Sequence, residues 1–169
     1  MAIHLYQHQY TAIIILNRIK MSQTSNETQH NEVGLFQVSY RISSGLIGAP
    51  VFHVNLTVST VTQKVGGIGT ITQTRHRPVQ LETNLSGNYF VLPILPPQEH
   101  SLSVHLTGLP FIPHPLNNVV PHPNVELYMR LDAHWQAGIA TFSYFEDGTK
   151  ITINDAKVQK VKFADVVPV

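Results

Sequence analysis

Histidine is the residue type with the widest chemical scope in this sequence, which holds ten of them and no cysteine. His114 and His122 each lie between two prolines, within one Pro-rich stretch. Two imidazoles on a stiff loop can share a metal ion, but a zinc site usually takes three or four protein ligands. The stretch offers no carboxylate before Glu126. We therefore expect no metal and no other cofactor, and interpret the stretch as an extended, exposed connection. If a metal site exists, His114 and His122 are its candidate ligands.

A hydrolase would need paired carboxylates, or a nucleophile beside a base. His53, Glu82, His105 and Asp132 are the residues whose convergence in space would create such a site. The sequence has no Gly-x-Ser-x-Gly nucleophile motif. These observations favour a protein that is not an enzyme, and a metal-assisted hydrolase that uses the loop histidines is the alternative.

The single tryptophan, Trp135, lies in the polar segment Asp132-Ala133-His134-Trp135-Gln136. An indole ring can stack on a sugar ring or an apolar ligand while Asp132 and Gln136 orient it, with Tyr128 close by in the sequence. The structural alternative is that Trp135 closes one end of the hydrophobic core. Trp135, Asp132, Gln136 and Tyr128 are thus the candidate ligand-binding residues.

Alternation of apolar and polar residues predicts the strands that position these side chains. It is cleanest over Val51 to Thr62, where every second residue is apolar. Turns are predicted at Lys64–Gly67 and at Asp147-Gly148, and the pair Gly87-Asn88 predicts a break between two extended stretches. The pattern yields eight or nine strands and no credible helix beyond the N-terminal segment.

Many short strands separated by turn signals predict an all-β fold. We expect a two-layer antiparallel β-sandwich, with a closed β-barrel as the alternative. A single domain is predicted over residues 33–163, followed by a tail at 164–169. Residues 1–32 are expected to form a disordered extension, and the polar stretch after Met21 suggests that Met21 is the biological start.

The charge of the chain indicates whether nucleic acid is a partner. A net charge of +1 with only 12% charged residues offers no clustered basic face, so nucleic acid is not expected as a partner.

The sequence shows no signal-peptide pattern, no cysteine and no apolar run of membrane-spanning length, and we expect a cytoplasmic protein. The charge-poor hairpin Val51–Thr74 could instead line a membrane barrel after oligomerisation. A half-buried soluble hairpin is the commoner explanation, and a membrane is not expected as a partner.

Three short segments resemble an uncharacterised family of small bacterial, mainly proteobacterial, proteins known only as a domain of unknown function. They are Gly48–Val51, Val65–Gln73 and Asp132–Gly138. The resemblance covers most of Val33–Val161. It implies a bacterial origin and a shared all-β fold, and it carries over no catalytic residue.

The sequence therefore favours a non-enzymatic binding or interaction module. Its expected target is a glycan, a small apolar ligand or a protein partner. Self-association is also expected, because the edge strands of a sandwich with so little charge are weakly protected against pairing.

Overall fold

The computed structural model describes residues 34–93, 101–111 and 121–162. The predicted N-terminal extension (1–32) and the predicted tail (164–169) lie outside these residues. The described chain forms eight strands, and within it no helix has the length and apolar character needed to cross a membrane. The strands are β1 (Leu35–Ser43), β2 (Val51–Ser59), β3 (Lys64–Gln73), β4 (Val79–Val91), β5 (Leu102–Pro110), β6 (Val125–Leu131), β7 (Ala137–Glu146) and β8 (Thr149–Val161).

The eight strands form a closed barrel in chain order, not a two-layer sandwich. Each strand pairs antiparallel with the next, and β8 returns to pair with β1, as in Ser39 opposite Val161. The all-β prediction is confirmed, and the barrel given as its alternative is the correct architecture. Alternation cannot separate the two folds, because both give each strand one buried face. The distinction depends on the pairing of the first strand with the last, which leaves no local pattern.

Apolar side chains from all eight strands fill the barrel interior. The register keeps them in phase, with Ile42 opposite Phe52 on β1 and β2 and Leu127 opposite Phe142 on β6 and β7. Tyr40, Phe52, Phe142 and Tyr144 are among the largest side chains without solvent exposure. A barrel of eight strands has an interior just wide enough for such side chains.

Strand β4 runs without the predicted break, because Gly87 belongs to the ladder. It lies opposite Leu106 on β5, and a Cβ atom at this position would lie 2.0 Å from the carbonyl oxygen of His105. The absent side chain lets β4 and β5 approach closely at a bend of the barrel wall. The predicted turn at Lys64–Gly67 is also wrong, since these residues open β3 and the turn lies just before them, where Gln63 has a φ of 54°.

Strands β8 and β1 share the shortest interface of the barrel. Only five residue pairs join them, from Ser43 opposite Lys157 to Ser39 opposite Val161. The register between β7 and β8 shifts between Ala140 and Phe142, and Asp155 on the facing strand has a φ of 51°. This bulge explains why the sequence suggested two strands here, whereas β8 is one strand with a bend.

The two ends of the barrel are closed differently. At one end, which we call the tryptophan end, the β6–β7 turn inserts Trp135 into the core. At the other, the arginine end, Arg75 of the β3–β4 loop forms an ion pair with Glu146 at the end of β7. The neighbouring β1–β2 loop is held by a hydrogen bond from Gln73 Nε2 to the Gly48 carbonyl oxygen (2.8 Å).

We expect the substitution Gly87→Ala to lower the free energy of unfolding by about 1–3 kcal/mol, because the new methyl group must displace the β5 backbone. Ser86→Ala is the matched control, since Ser86 is exposed on the outer wall and should change stability by less than about 0.5 kcal/mol. Urea denaturation measures both. Equal stabilities of the two variants would contradict the close approach at Gly87.

Candidate functional site

Trp135 lies inside the tryptophan end, with 6% of its surface exposed. Its ring meets Phe36 and Tyr89 edge-on, at centroid distances of 5.4 and 5.1 Å. The hydroxyl of Tyr40 donates a hydrogen bond to the Trp135 carbonyl oxygen (3.0 Å), and burial foremost, then the charge of Asp132, raises the pKa of Tyr40. The tyrosine therefore stays protonated and able to donate. This placement matches the structural alternative for Trp135, that it closes the core.

Asp132 and Gln136 build the turn that holds Trp135. The Asp132 carboxylate accepts hydrogen bonds from the backbone N–H groups of His134 (2.9 Å), Gln136 (2.9 Å) and Ala137 (3.0 Å). Gln136 Nε2 donates to the His134 carbonyl oxygen (3.2 Å). Because Asp132 already binds three donors of its own turn, its role here is to fix the left-handed Trp135 backbone, at a φ of 58°.

Tyr128, the fourth candidate, lies on the outer wall and does not join the other three. Its ring stacks on His105 of the neighbouring strand, with centroids 4.1 Å apart and planes 9° from parallel. Tyr128 points outward because Leu127 and Met129 beside it on β6 point into the core. The four predicted ligand-binding residues therefore lie in three different places. Trp135 is in the core, Asp132 and Gln136 are in the turn that supports it, and Tyr128 is on the outer wall.

Of the four residues considered for catalysis, only His53 and Glu82 line one depression, and His105 and Asp132 lie apart from them. His53, Thr70 and Glu82 lie in one row across β2, β3 and β4, which places His53 and Glu82 two strands, or about 10 Å, apart. His105 pairs with Asn88, six residues further along β4 than Glu82, and Asp132 lies in the turn at the tryptophan end.

The candidate metal ligands gain no partners in the described part of the chain. His122 is exposed there, and His114 lies outside it. In residues 34–93, 101–111 and 121–162, no three His, Asp or Glu side chains are grouped closely enough to hold a metal ion.

The strands β2, β3 and β4 together carry a depression on the outer wall, which we call the β2–β4 groove. Its volume is about 350 Å³. A shallower depression of about 200 Å³ continues from it toward β1 and shares Asn55 and Ile68 with it. The groove is lined by His53, Asn55, Ile68, Gly69, Thr70, Glu82, Thr83, Asn84 and Phe111.

Two polar atoms in this groove are buried without a hydrogen-bond partner among the described residues. They are Nδ1 of His53 and Oδ1 of Asn55. Burial foremost, and then the nearby charge of Arg41, lowers the pKa of His53. His53 is therefore neutral near pH 7, with one ring nitrogen that donates and one that accepts. A buried polar atom without a partner costs about 1–3 kcal/mol, so both atoms favour a partner supplied from outside.

Glycines of β3 lie in the groove and beside it. Gly69 lines the groove itself. A Cβ atom on Gly67 would lie 1.9 Å from the Asn55 carbonyl oxygen, so glycine allows β2 and β3 to approach closely next to the groove. The sequence predicted only a turn over Lys64–Gly67. Alternation within each strand predicts which side chains face outward, and this rule could have indicated the groove. It places the following polar residues on the outer wall: His53, Asn55, Thr70, Glu82 and Asn84.

A family model described as a domain of unknown function, DUF1842, matches residues 33–150. This protein belongs to the DUF1842 family. The predicted membership of an uncharacterised domain family is confirmed, and the bacterial origin stays a prediction. The match covers β1 to β7 of the DUF1842 protein and ends at the start of β8, the strand that closes the barrel. No curated protein matches the chain.

We expect Trp135→Ala to destabilise the protein by about 3–5 kcal/mol, because it leaves a large cavity between Phe36 and Tyr89. His134→Ala, on the exposed side of the same turn, keeps the backbone groups that the turn uses and should cost less than about 0.5 kcal/mol. Thermal and urea unfolding measure both values. A Trp135→Ala variant as stable as the wild type would mean that the indole does not support the core.

The lowered pKa of His53 predicts a pH dependence of stability. The unfolded chain binds this proton near the ordinary histidine pKa of about 6.5, whereas the folded protein binds it only at lower pH. The unfolded state thus holds more protons, and the free energy of unfolding falls as the pH drops below about 6.5. His53→Gln removes this contribution, so the stability of the wild type relative to the variant should decrease from pH 7.5 to 5.5. A difference that stays constant over this range would contradict the assignment.

Proposed function

We propose that this DUF1842 protein is a non-enzymatic binding module that recognises a neutral, hydroxyl-rich ligand, such as a glycan, in the β2–β4 groove. One observation carries the proposal. Uncharged hydrogen-bonding side chains of adjacent strands line a single depression, and two of their polar atoms are buried without a partner in the described part of the chain.

A filled barrel interior favours a binding site on the outer wall, because side chains already occupy the space inside. Phe52 and Phe142 pack against each other across the interior, with ring centroids 5.3 Å apart. Trp135 closes one end, and the ion pair of Arg75 with Glu146 bridges the other. A ligand inside would have to displace this core, whereas the β2–β4 groove lies on the outer wall, where a ligand needs at most a rotation of the His53 and Asn55 side chains.

The chemistry of the groove favours hydroxyl groups. The side chains of Asn55, Asn84 and Thr70 both donate and accept hydrogen bonds, as does a neutral His53, and Glu82 accepts them. A hydroxyl group does both as well, so a polyol can satisfy this mixed set at close range. An apolar ligand would cover these groups without satisfying them, at about 1–3 kcal/mol for each buried group.

Two exposed apolar side chains give the groove a surface for the apolar face of a sugar ring. Ile68, in the groove, is 57% exposed, and Phe111, at its β5 side, is 66% exposed. A sugar ring presents polar edges and apolar C–H faces, so it can rest one face on Phe111 while its hydroxyl groups reach the amides. This assigns to Phe111 the stacking role that the sequence had suggested for Trp135.

A glycan array followed by NMR titration of the ¹⁵N-labelled protein with the selected saccharide tests the proposal. We expect shifted amide signals on β2, β3 and β4. Asn55→Ala should weaken binding about tenfold, because it removes a hydrogen bond and leaves partners unsatisfied. Ser86→Ala, on the same strand as Asn84 but outside the groove, is the control and should bind like the wild type.

Several outcomes would contradict this function. A silent array combined with unshifted groove signals would exclude a glycan. Signals that move around His105 and Tyr128 would place recognition on the neighbouring wall formed by β5 and β6. Binding that survives both Asn55→Ala and Phe111→Ala would exclude the β2–β4 groove as the site.

A further inference from the structure

The closed barrel leaves several stretches of strand edge unpaired among the described residues, at the start of β1, at the start of β4 and on β8, and the stretch on β8 is the longest. Because β1 pairs with β8 only over Lys157–Val161, the preceding part of β8 has β7 on one side and no described strand on the other. We call residues Lys150–Asn154 the β8 edge. Thr152 and Asn154 are exposed, and Ile151 and Ile153 are half-buried, so the edge is open to solvent.

This edge carries protecting features at its two ends, Lys150 on one side and the bulge at Asp155 on the other, and none over Ile151–Ile153. Charged side chains, prolines and short length normally prevent one edge from pairing with another. The segment Lys-Ile-Thr-Ile-Asn is rich in β-branched residues, which favour strands, and holds no proline. Its one charged side chain, Lys150, forms an ion pair with Glu126 (2.7 Å) on the outer wall.

From this geometry we infer that the β8 edge pairs antiparallel with the same edge of a second copy of the chain, around a two-fold axis at Thr152. The inference concerns a surface apart from the β2–β4 groove and does not rest on the proposed ligand.

The sequence of the edge is complementary to itself in this register. Pairing centred on Thr152 places Ile151 opposite Ile153 of the second copy, so the two half-buried apolar side chains of each edge cover each other. Lys150 falls opposite Asn154, so no like charges face each other. The pairing of Ile151 with Ile153 and that of Lys150 with Asn154 each occur twice, once on either side of the axis, as a two-fold interface requires.

The proposed pairing is as long as the ladder that closes the barrel. The five-residue edge gives five residue pairs, the same number that closes the barrel between β1 and β8. The half-buried Ile151 and Ile153 already pack against the core cluster, so the dimer would extend an existing apolar surface.

Sedimentation velocity of the full chain tests dimer formation directly. We expect a species of twice the 18.9 kDa monomer mass that increases with protein concentration. Thr152→Lys brings two ammonium groups together at the axis and should weaken the dimer at least tenfold. Ser86→Lys adds the same charge on the outer wall away from the edge and should dimerise like the wild type.

Cysteine cross-linking tests the register, and the chain has no cysteine of its own to interfere. Thr152→Cys should form a disulfide-linked dimer under mild oxidation, because residues directly opposite have Cβ atoms about 4.5–5.5 Å apart. Asn154→Cys alone should not, since its two copies are four residues, or about 13 Å, apart. A mixture of Lys150→Cys and Asn154→Cys chains should cross-link with each other.

A monomer at all concentrations would overturn the inference. So would equal cross-linking at positions 152 and 154, or a dimer that Thr152→Lys does not weaken. Circular dichroism of each variant verifies that the barrel is intact, so that loss of the dimer is not loss of the fold. Saccharide titration of Thr152→Lys separates this inference from the proposed function, because groove binding should persist in the monomer.

Discussion

The filling of the barrel by its own side chains is the constraint on which the rest of this structure depends. Eight strands enclose a space that large side chains can fill completely. Phe52, Phe142 and Tyr144 occupy much of it, and Gly69 provides the matching gap, since a Cβ there would lie 2.5 Å from the Phe52 ring. Large and small residues are thus paired across the interior. Because the inside is full, most polar side chains of the strands lie on the outer wall, and the proposed binding groove lies there with them.

The strands were accessible from the sequence because alternation is local and strong in this chain. Val51–Ser59 has nearly the predicted extent, and its apolar and polar faces are those the pattern indicates. Barrel closure was not accessible, since it depends on Ser39 meeting Val161. The sequence predicts a break at Gly87 because the local pattern cannot distinguish a glycine within a strand from a glycine in a turn. The difference depends on the backbone of the neighbouring strand.

The candidate site was predicted less well, for a physical reason. Trp135, Asp132 and Gln136 lie together in the sequence and do form one unit, but the unit supports the core. The groove instead gathers residues from separate strands, and their proximity comes from register. Phe111 becomes part of it because β5 ends beside β4, with Pro110 opposite Thr83. Local sequence therefore identified a structural turn, whereas the proposed groove is a property of the assembled sheet.

The order of the strands has a consequence for how the protein is made. Seven of the eight pairings join consecutive strands, so each hairpin can form as soon as its second strand leaves the ribosome. The β1–β8 contact spans nearly the whole domain and must wait for Val161. Until then the nascent chain is a curled sheet with two free edges and an exposed apolar face, the state most prone to aggregation. Folding should consequently end in one late, slow step, and a truncation that removes Lys157–Val161 would arrest the chain in that open form.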